Sequence, residues 1–210
     1  MNKRGILLVV SGFAGSGKGT IMKELLSKYD NYALSISATT RKPREGEIEG
    51  VHYFFKTRDE FEHMIENGEL LEHAEYVGNY YGTPREYVEQ QLNAGKDVIL
   101  EIEVQGGLNV RKIYPDAMLV FVLPPNVKEI KNRLKKRGTE TEEVIKKRMK
   151  RGSEEAKVIN QYDYLMVNDN LDECVKRLHY TVQSARCAVN RNLDFIEDIK
   201  NQFTEFLKGE

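Results

Sequence analysis

Residues 12–20 read Gly-Phe-Ala-Gly-Ser-Gly-Lys-Gly-Thr, and this stretch decides the fold. It follows an apolar run at residues 6–10 and precedes residues 21–26, whose apolar side chains recur with helical spacing. A strand, a glycine-rich turn and a helix in this order are the context of a P-loop, where backbone N–H groups converge on an anion at the start of a helix. Lys18 adds a mobile positive charge that can follow a phosphate during transfer. The stretch therefore predicts a site for nucleotide phosphates; the alternative is a glycine turn with an incidental lysine.

The residue after Lys18 departs from the usual P-loop pattern. That pattern has a serine or threonine there for Mg²⁺, whereas this chain has Gly19 and only then Thr20. Either Thr20, or water together with the oxygens of the nucleotide, must then complete the shell of the ion. The Gly-Lys-Gly-Thr ending resembles that of nucleoside monophosphate kinases.

Composition limits the classes of protein that need to be considered. The chain has 210 residues and a net charge of -1, so one good core with small inserted subdomains is expected, and no overall charge attracts nucleic acid or an acidic membrane. Hydrophobic residues make up 40% and charged residues 31%, as in an ordinary soluble globular protein, and no run reaches membrane-spanning length. Cys174 and Cys187 lie in one predicted helix, too far apart to bridge along it, which favours a reduced, cytoplasmic protein.

Three later apolar runs, at residues 98–102, 118–123 and 164–167, have the length and composition of buried parallel strands. Helical patterns follow them, beginning near Gly106, Asn126 and Leu171. Together with the first strand they predict an α/β fold, a three-layer P-loop core with a parallel sheet covered on both faces.

Two regions interrupt this alternation. Residues 37–91 mix short strands with one helix and predict a small α+β insert that holds something polar, and residues 127–162 predict a charged helical lid with flanking core helices. The core then comprises residues 1–36, 92–126 and 163–210. The last helix carries an apolar stripe that is expected to pack against its own domain, with a dimer contact as the alternative, so a monomer or a homodimer is expected. The stripe consists of Ile196, Ile199, Phe203, Phe206 and Leu207.

The insert opens with an arginine-rich loop. Pro43 disfavours helix at the residue before it, so Arg41 and Arg44 lie in a loop in which both can reach one anion. Tyr53 and Tyr81 can donate hydroxyls to the same group. Taken alone, such a pair in a polar loop is more often a solvated surface.

An acidic pair and an arginine-rich helical region are further candidates. Alternation puts Glu101 and Glu103 on one face at the carboxyl end of a strand, where α/β proteins bind ligands, although a solvated turn is the plainer explanation. Arg133, Arg137 and Arg148 alone suggest a basic patch for RNA, but glutamates are interspersed among them, so the region is mixed in charge.

These motifs together resemble the guanylate kinase family. The resemblance rests on Ser-x-x-Thr-Arg-x-Pro-Arg-x-Gly-Glu at residues 37–47, on Asn-Tyr-Tyr-Gly-Thr at 79–83, on Arg-Gly-Thr-Glu at 137–140 and on the P-loop. It covers nearly the whole chain, as far as residues 167–169. It implies phosphorylation of GMP or dGMP by ATP with Mg²⁺, in purine nucleotide metabolism.

The resemblance also implies roles for individual residues. In the family, Arg41, Arg44, Tyr53 and Tyr81 match positions that hold the phosphate of GMP, and Glu47 matches a support for the arginines. The full set implied to bind GMP is Ser37, Arg41, Arg44, Tyr53, Glu72, Tyr81, Thr83 and Glu103. The set implied to bind ATP is Gly12, Phe13, Ala14, Gly15, Ser16, Gly17, Lys18, Gly19, Thr20 and Asn168.

Catalytic and metal-binding roles follow in the same way. The catalytic set is Lys18, Arg133, Arg137 and Arg148, of which the three arginines belong to a lid that closes over the phosphates. Thr20 and Glu101 are implied to bind the metal, partly through water. Many members of the family carry aspartates at the positions of Glu101 and Glu103, so the longer side chains leave the contacts there open.

The chemistry of guanine agrees with this assignment. Guanine presents N1–H and an exocyclic amine as neighbouring donors, which one carboxylate such as Glu72 can accept, and a hydroxyl of Ser37 or Thr83 can donate to O6. Adenine would place an acceptor against that carboxylate. Three alternatives are a kinase for another monophosphate, a scaffold domain that binds phosphorylated peptides, and an RNA-binding lid. Scaffold domains typically lose the P-loop features that stand intact here.

Overall fold

The computed structural model describes residues 4–76, 78–136 and 141–208. Its strands are β1 (Leu7–Gly12), β2 (Tyr32–Leu34), β3 (Ala38–Thr39), β4 (Phe54–Phe55), β5 (Leu70–Tyr76), β6 (Asn79–Pro84), β7 (Asp97–Glu101), β8 (Met118–Leu123) and β9 (Tyr164–Val167). Its helices are α1 (Lys18–Lys28), α2 (Arg58–Glu66), α3 (Arg85–Asn93), α4 (Val104–Ile113), α5 (Val127–Lys136), α6 (Glu142–Ala156), α7 (Leu171–Arg186) and α8 (Leu193–Lys208).

The main sheet has five strands in the order β2-β7-β1-β8-β9, and all its pairings are parallel. The predicted α/β fold with a parallel sheet is confirmed. Strands β8 and β9 have the bounds predicted from their apolar runs, whereas β7 ends at Glu101. The central position goes to β1, so the loop that follows it lies in the middle of the carboxyl edge of the sheet.

Alternating residues of β1 enter two separate cores. Leu8 and Val10 pack with residues of α1 and α7 on one face, and Leu7 and Val9 pack with residues of α3 and α4 on the other. All four side chains are at most 5% exposed. This burial on both faces is why the strand reads as a continuous apolar run.

A second sheet of four strands, in the order β4-β3-β6-β5, lies between residues 38 and 84. It has a small core of its own, formed by Ala38, Phe61 and Leu70. Helix α2 begins with a capping box, in which Thr57 accepts from the backbone of Glu60 and the Glu60 carboxylate accepts from the backbone of Thr57. The sheet is tied to the main core through Leu71, which packs among residues of the five-stranded sheet.

Helices α5 and α6 form a further cluster on the P-loop. Ile130, Leu134 and Ile145 are buried together, and Phe13 of the loop packs against them. Helix α6 begins with Glu142, after the N-cap Thr141, and its first turn is acidic, as the helix dipole favours. The predicted charged helices in this region are confirmed.

The stripe on α8 does not pack as expected. Ile196 and Ile199 are half-buried, but Phe203, Phe206 and Leu207 are 66%, 65% and 68% exposed. The expectation that the whole stripe packs against its own domain was therefore wrong for these last three residues, whose side chains are mostly exposed. Among the described residues, no helix is long and apolar enough to cross a membrane.

Candidate active site

The P-loop joins β1 to α1 through three glycines with positive φ. Gly15 and Gly17 have φ of 82° and 90°, in the left-handed region, and a Cβ on Gly12 would lie 2.1 Å from the carbonyl oxygen of Val122. A side chain at Gly17 would likewise meet the amide nitrogen of Asn168 at 2.4 Å. The loop can therefore follow this path only with glycine at these positions.

The start of α1 has no side-chain cap at its N-cap position. Its N-cap is Gly17, which makes no side-chain capping bond, and its first turn holds no acidic residue. The amides of the first turn of a helix have no partner within the helix, and glycine has no side chain with which to cap them. Backbone donors and the positive end of the helix dipole thus converge where the phosphates of a nucleotide fit.

Lys18 curls back over the loop that precedes it. Its Nζ donates to the carbonyl oxygens of Gly12 at 2.7 Å and of Phe13 at 3.3 Å. These contacts hold the ammonium group over the loop, at the position from which it can reach a phosphate bound by the amides.

Hydrogen bonds to the carbonyl oxygen of Ser16 also hold the P-loop in place. Asn168 donates its side-chain amide to this oxygen at 2.8 Å, and Arg133 Nη1 approaches it at 3.4 Å. Arg133 also donates to the carbonyl oxygen of Asn168 at 2.9 Å and to Glu129 at 2.8 Å. Asn168 is only 7% exposed, so the hydrogen bond from its amide to the P-loop is buried.

Glu101 lies at the end of β7, beside the first turn of α1. Both of its carboxylate oxygens would be 3.9 Å from a Cβ on Gly19. Glu101 is exposed to solvent, but nearby protein partly desolvates its carboxyl group. This desolvation raises the pKa of the carboxyl group, while the charge of Lys18 lowers it. An oxygen ligand for a divalent cation is thus available next to the phosphate-binding amides.

Arg41 is held in a clamp. Its Nη2 donates to the two carboxylate oxygens of Glu47 at 2.8 and 2.9 Å, and its guanidinium carbon lies 5.3 Å from the centroid of the Tyr53 ring. Glu47 also accepts from the backbone N–H of Arg44 at 2.7 Å, and these bonds, that of Arg41 foremost, lower the pKa of its carboxyl. Arg41 also donates a hydrogen bond to Tyr81, and its bonds to Glu47 and then Tyr81 raise the pKa of the guanidinium group.

The strand register explains this cluster. Thr39 of β3 pairs with Tyr81 of β6, which brings the loop after β3 next to that tyrosine, and the Tyr53 and Tyr81 rings are 6.2 Å apart. A guanidinium group and two phenols at one point can bind a phosphate. The side chain of Arg44 is exposed beside them.

Glu72 and Thr83 face each other across β5 and β6. The Thr83 hydroxyl donates to Glu72 Oε1 at 2.8 Å, and both side chains are buried, Thr83 completely. Desolvation raises the pKa of Glu72, the Thr83 bond lowers it, and the charge of Glu103 raises it. The single proton of Thr83 is therefore already used, so in this state the donor available for a guanine O6 is Ser37, which is half-buried.

Glu103 does not continue the strand. It is the N-cap of α4, two residues after β7 ends, so the expectation that Glu101 and Glu103 share one face of a strand was wrong. Its Oε2 instead accepts from Arg151 Nη2 at 2.5 Å. The two carboxylates therefore belong to different elements, Glu101 to the end of β7 and Glu103 to the start of α4.

Arg137, Arg148 and Thr20 are further predicted site residues. Arg137 lies outside the described residues, as do Thr139 and Glu140 of the same motif. Arg148 is half-buried on α6, and Thr20 is exposed in the first turn of α1. Among the parts of the chain that the structure describes, no group of three or more histidine, cysteine, aspartate or glutamate residues could hold a metal ion alone. A metal at this site would thus need the nucleotide and water among its ligands.

Sequence reasoning missed Arg151 and Glu155. Both lie on α6, and Arg151 Nε donates to Glu155 Oε1 at 3.0 Å. Arg151 follows Arg148 by three residues and Glu155 follows Arg151 by four, so helical spacing puts all three on one face of α6. The signal was weak because α6 is charged along most of its length.

Comparison with known proteins agrees with this arrangement. A family model described as guanylate kinase matches residues 4–185. A guanylate kinase of Bacillus subtilis is 54% identical over 179 residues, covering 85% of this chain and 88% of the relative. One from Caldanaerobacter subterraneus is 46% identical over 202 residues, covering 96% and 98%. A crystal structure of guanylate kinase from Anaplasma phagocytophilum superposes with a TM-score of 0.77 at 29% identity and covers 97% of both chains.

Proposed function

Because this chain belongs to the guanylate kinase family, whose reaction is the phosphorylation of GMP, we propose that it transfers the γ-phosphoryl group of ATP to GMP or dGMP between the P-loop and the residues of the insert. The observation that carries the proposal is the presence of two anion-binding arrangements with different chemistry. One is the set of uncapped amides at the start of α1 with Lys18, and the other is the clamped Arg41 with Tyr53 and Tyr81.

On the ATP side, the amides of residues 15–20 receive the phosphates, and Lys18 exchanges its two carbonyl contacts for phosphate oxygens. Arg133 and Asn168 support this by holding the Ser16 carbonyl, which keeps the loop in shape. Arg133, Arg137 and Arg148 supply positive charge from the lid and offset the charge that develops on the transferred group.

On the GMP side, Arg41, Arg44, Tyr53 and Tyr81 bind the phosphate. The clamp supports this role because Glu47 fixes the orientation of Arg41 before the substrate arrives, so less side-chain entropy is lost on binding. The amino-acid side chains that we assign to the base are Ser37, Glu72, Thr83 and Glu103.

Glu72 carries the preference for guanine. Its Oε1 is oriented by Thr83, and a carboxylate held in this way accepts from N1–H and from the exocyclic amine. AMP would leave the buried carboxylate unpaired, which a site of this kind rejects strongly.

Transfer needs no general base, since the acceptor phosphate is largely ionised near neutral pH. The protein acts by positioning and by neutralising charge. Mg²⁺, held by phosphate oxygens and water with Glu101 and Thr20, supplies further neutralisation when bound. The carboxylate of Glu101, beside Gly19 and Lys18, fits such an ion.

The reaction takes place in the cytoplasm under this proposal. Both cysteines are free thiols, Cys174 buried and Cys187 exposed, which suits a reducing compartment.

A panel of acceptors tests the proposal. GMP, dGMP, AMP, UMP and dTMP are each incubated with ATP and Mg²⁺, and the products are identified. GDP and ADP from GMP are expected in equal amounts, with dGMP accepted as well. Faster conversion of AMP, UMP or dTMP than of GMP would refute the assignment of Glu72 to guanine, and absence of all products would refute the assignment of the two phosphate sites.

A further inference from the structure

An ion pair joins helix α6 to the start of α4. Arg151, in the middle of α6, donates from Nη2 to Glu103 Oε2 at 2.5 Å, although the two residues are 48 positions apart. Glu103 occupies the N-cap position of α4, so the pair connects α6 directly to the start of α4. It is a contact between parts of the chain that have separate cores.

Arg151 is also held from its own helix. Glu155, one turn later, accepts from Arg151 Nε at 3.0 Å, and its side chain is only 16% exposed. Desolvation raises the pKa of Glu155, and the charge of Lys18 lowers it, so Glu155 lies within electrostatic reach of the P-loop lysine. The guanidinium group of Arg151 therefore contacts two carboxylates, that of Glu155 on α6 and that of Glu103 at the start of α4.

On its other side, Glu103 lies near Glu72. The negative charge of Glu103 raises the pKa of Glu72, so the two carboxylates repel each other across the space between α4 and β5. Arg151 offsets part of this repulsion. Glu103 therefore pairs with Arg151, and its charge also raises the pKa of Glu72.

We propose that Arg151 is a positioning residue for GMP, which orients Glu103 and couples the position of helix α6 to the GMP site. The proposal rests on the role of Glu103 in GMP binding given above. Arg151 acts through Glu103, and Glu155 keeps the guanidinium group in place. Closure of the lid and binding of GMP then favour each other, because the ion pair is made best when α6 lies against α4.

The exposure of the Arg151–Glu103 ion pair sets the expected change in KM for GMP. The side chains of Arg151 and Glu103 are 44% and 52% exposed, so solvent screens the pair. Exposed ion pairs of this kind change equilibrium constants by roughly two- to fivefold. We expect the Arg151→Gln variant to raise KM for GMP by about this factor, with KM for ATP and kcat changed by less than about 1.5-fold.

The test is a double-mutant cycle in the full-length enzyme. Arg151→Gln, Glu103→Gln and the double variant are compared for KM of GMP, KM of ATP and kcat. Arg151→Lys tests whether an ammonium group, which lacks the planar arrangement of N–H donors of a guanidinium, keeps part of the low KM for GMP. Lys150→Gln is the matched control, since it removes one positive charge from an exposed neighbouring position of α6.

The pH dependence of kcat/KM for GMP gives a second readout. Glu72 is faced by Thr83 and Glu103, and removal of Arg151 leaves the charge of Glu103 less offset. The acid limb of the profile is then expected to move to higher pH in Arg151→Gln and not in Lys150→Gln. A purely structural role for Arg151 would leave this limb in place.

The outcomes separate the two proposals. The inference holds if Arg151→Gln raises KM for GMP in the parent enzyme and has no further effect in the Glu103→Gln background. It is overturned if the effect persists in that background, if KM for ATP rises equally, or if Lys150→Gln behaves in the same way. If Glu103→Gln weakens GMP binding but Arg151→Gln does not, the inference fails and the proposed function stands. If Glu103→Gln leaves KM for GMP unchanged, the role of Glu103 in the proposed function fails and the inference fails with it.

Discussion

Replacement of Glu72 by glutamine separates recognition of guanine from stability. Glu72 is 9% exposed and accepts from Thr83 at 2.8 Å, and glutamine has nearly the same size and keeps an oxygen for that bond. The second oxygen becomes an amide nitrogen, which places a donor against the donors of guanine. Loss of a charge-assisted bond costs roughly 1.5–3 kcal/mol, and an unsatisfied buried donor adds roughly 1–3 kcal/mol. The sum predicts that kcat/KM for GMP falls by roughly 10² to 10⁴.

The same substitution is expected to leave the free protein at least as stable as the parent. Burial raises the pKa of Glu72, so its ionised form is disfavoured in the folded state at neutral pH, and neutral glutamine escapes that cost. The melting temperature of Glu72→Gln at neutral pH should therefore equal or exceed that of the parent. The difference should shrink as the pH falls through the raised pKa, because Glu72 then becomes neutral as well.

Initial rates with GMP and AMP, together with calorimetry of the ligand-free variants, make the test. Glu75→Gln is the matched control, since it makes the same change at an exposed position of β5. The reasoning is refuted if kcat/KM for GMP stays within about threefold of the parent value, or if the rate with AMP falls by the same factor.

Three further substitutions test the P-loop and the clamp. Lys18→Met should lower kcat by roughly 10²- to 10³-fold with an unchanged circular dichroism spectrum, because it removes a mobile charge at the phosphates, and turnover within tenfold of the parent would contradict this. Glu47→Gln should raise KM for GMP about tenfold but not KM for ATP, since Nη2 of Arg41 loses its charged partner, and equal effects on both substrates would count against the clamp. Asn168→Ala should lower the free energy of unfolding in urea by roughly 1–3 kcal/mol, because the Ser16 carbonyl loses its buried donor, and a change below about 0.5 kcal/mol would show that the bond is dispensable.

Sequence reasoning worked best for elements buried on both faces. The bounds of β8 were predicted because a continuous apolar run is typical of a strand buried on both faces. The bounds of β9 were also predicted from its apolar run, although β9 is an edge strand with Tyr164 and Leu165 exposed. Strands β3 and β6 were missed, although they carry or adjoin site residues. Strand β3 has only two residues, and β6, Asn-Tyr-Tyr-Gly-Thr-Pro, carries no apolar run. Both strands are held by pairing within a small sheet that no local pattern reveals.

In the candidate active site, too, some features could be predicted from the sequence and others could not. The uncapped start of α1 follows from the glycines, and pairing of Arg41 with Glu47 was anticipated as support within one motif. The place of Glu103 was not, because alternation cannot tell where a strand ends and a helix cap begins. Arg151 could not be chosen from the many charged residues of α6, since the sequence does not say which side of that helix meets the cleft.

The order of strands has a consequence for how the chain is made. Strand β1 is synthesised first, yet it pairs with β7 and β8, whose residues follow about 90 and 110 positions later, and β9 closes the sheet later still. The ribosome must therefore add about 90 residues after β1 before the central strand can pair with its first neighbour, and about 110 before it can pair with both. Until then its apolar residues stay without their final contacts, so nascent chains cut short before β8 should be the species that chaperones retain.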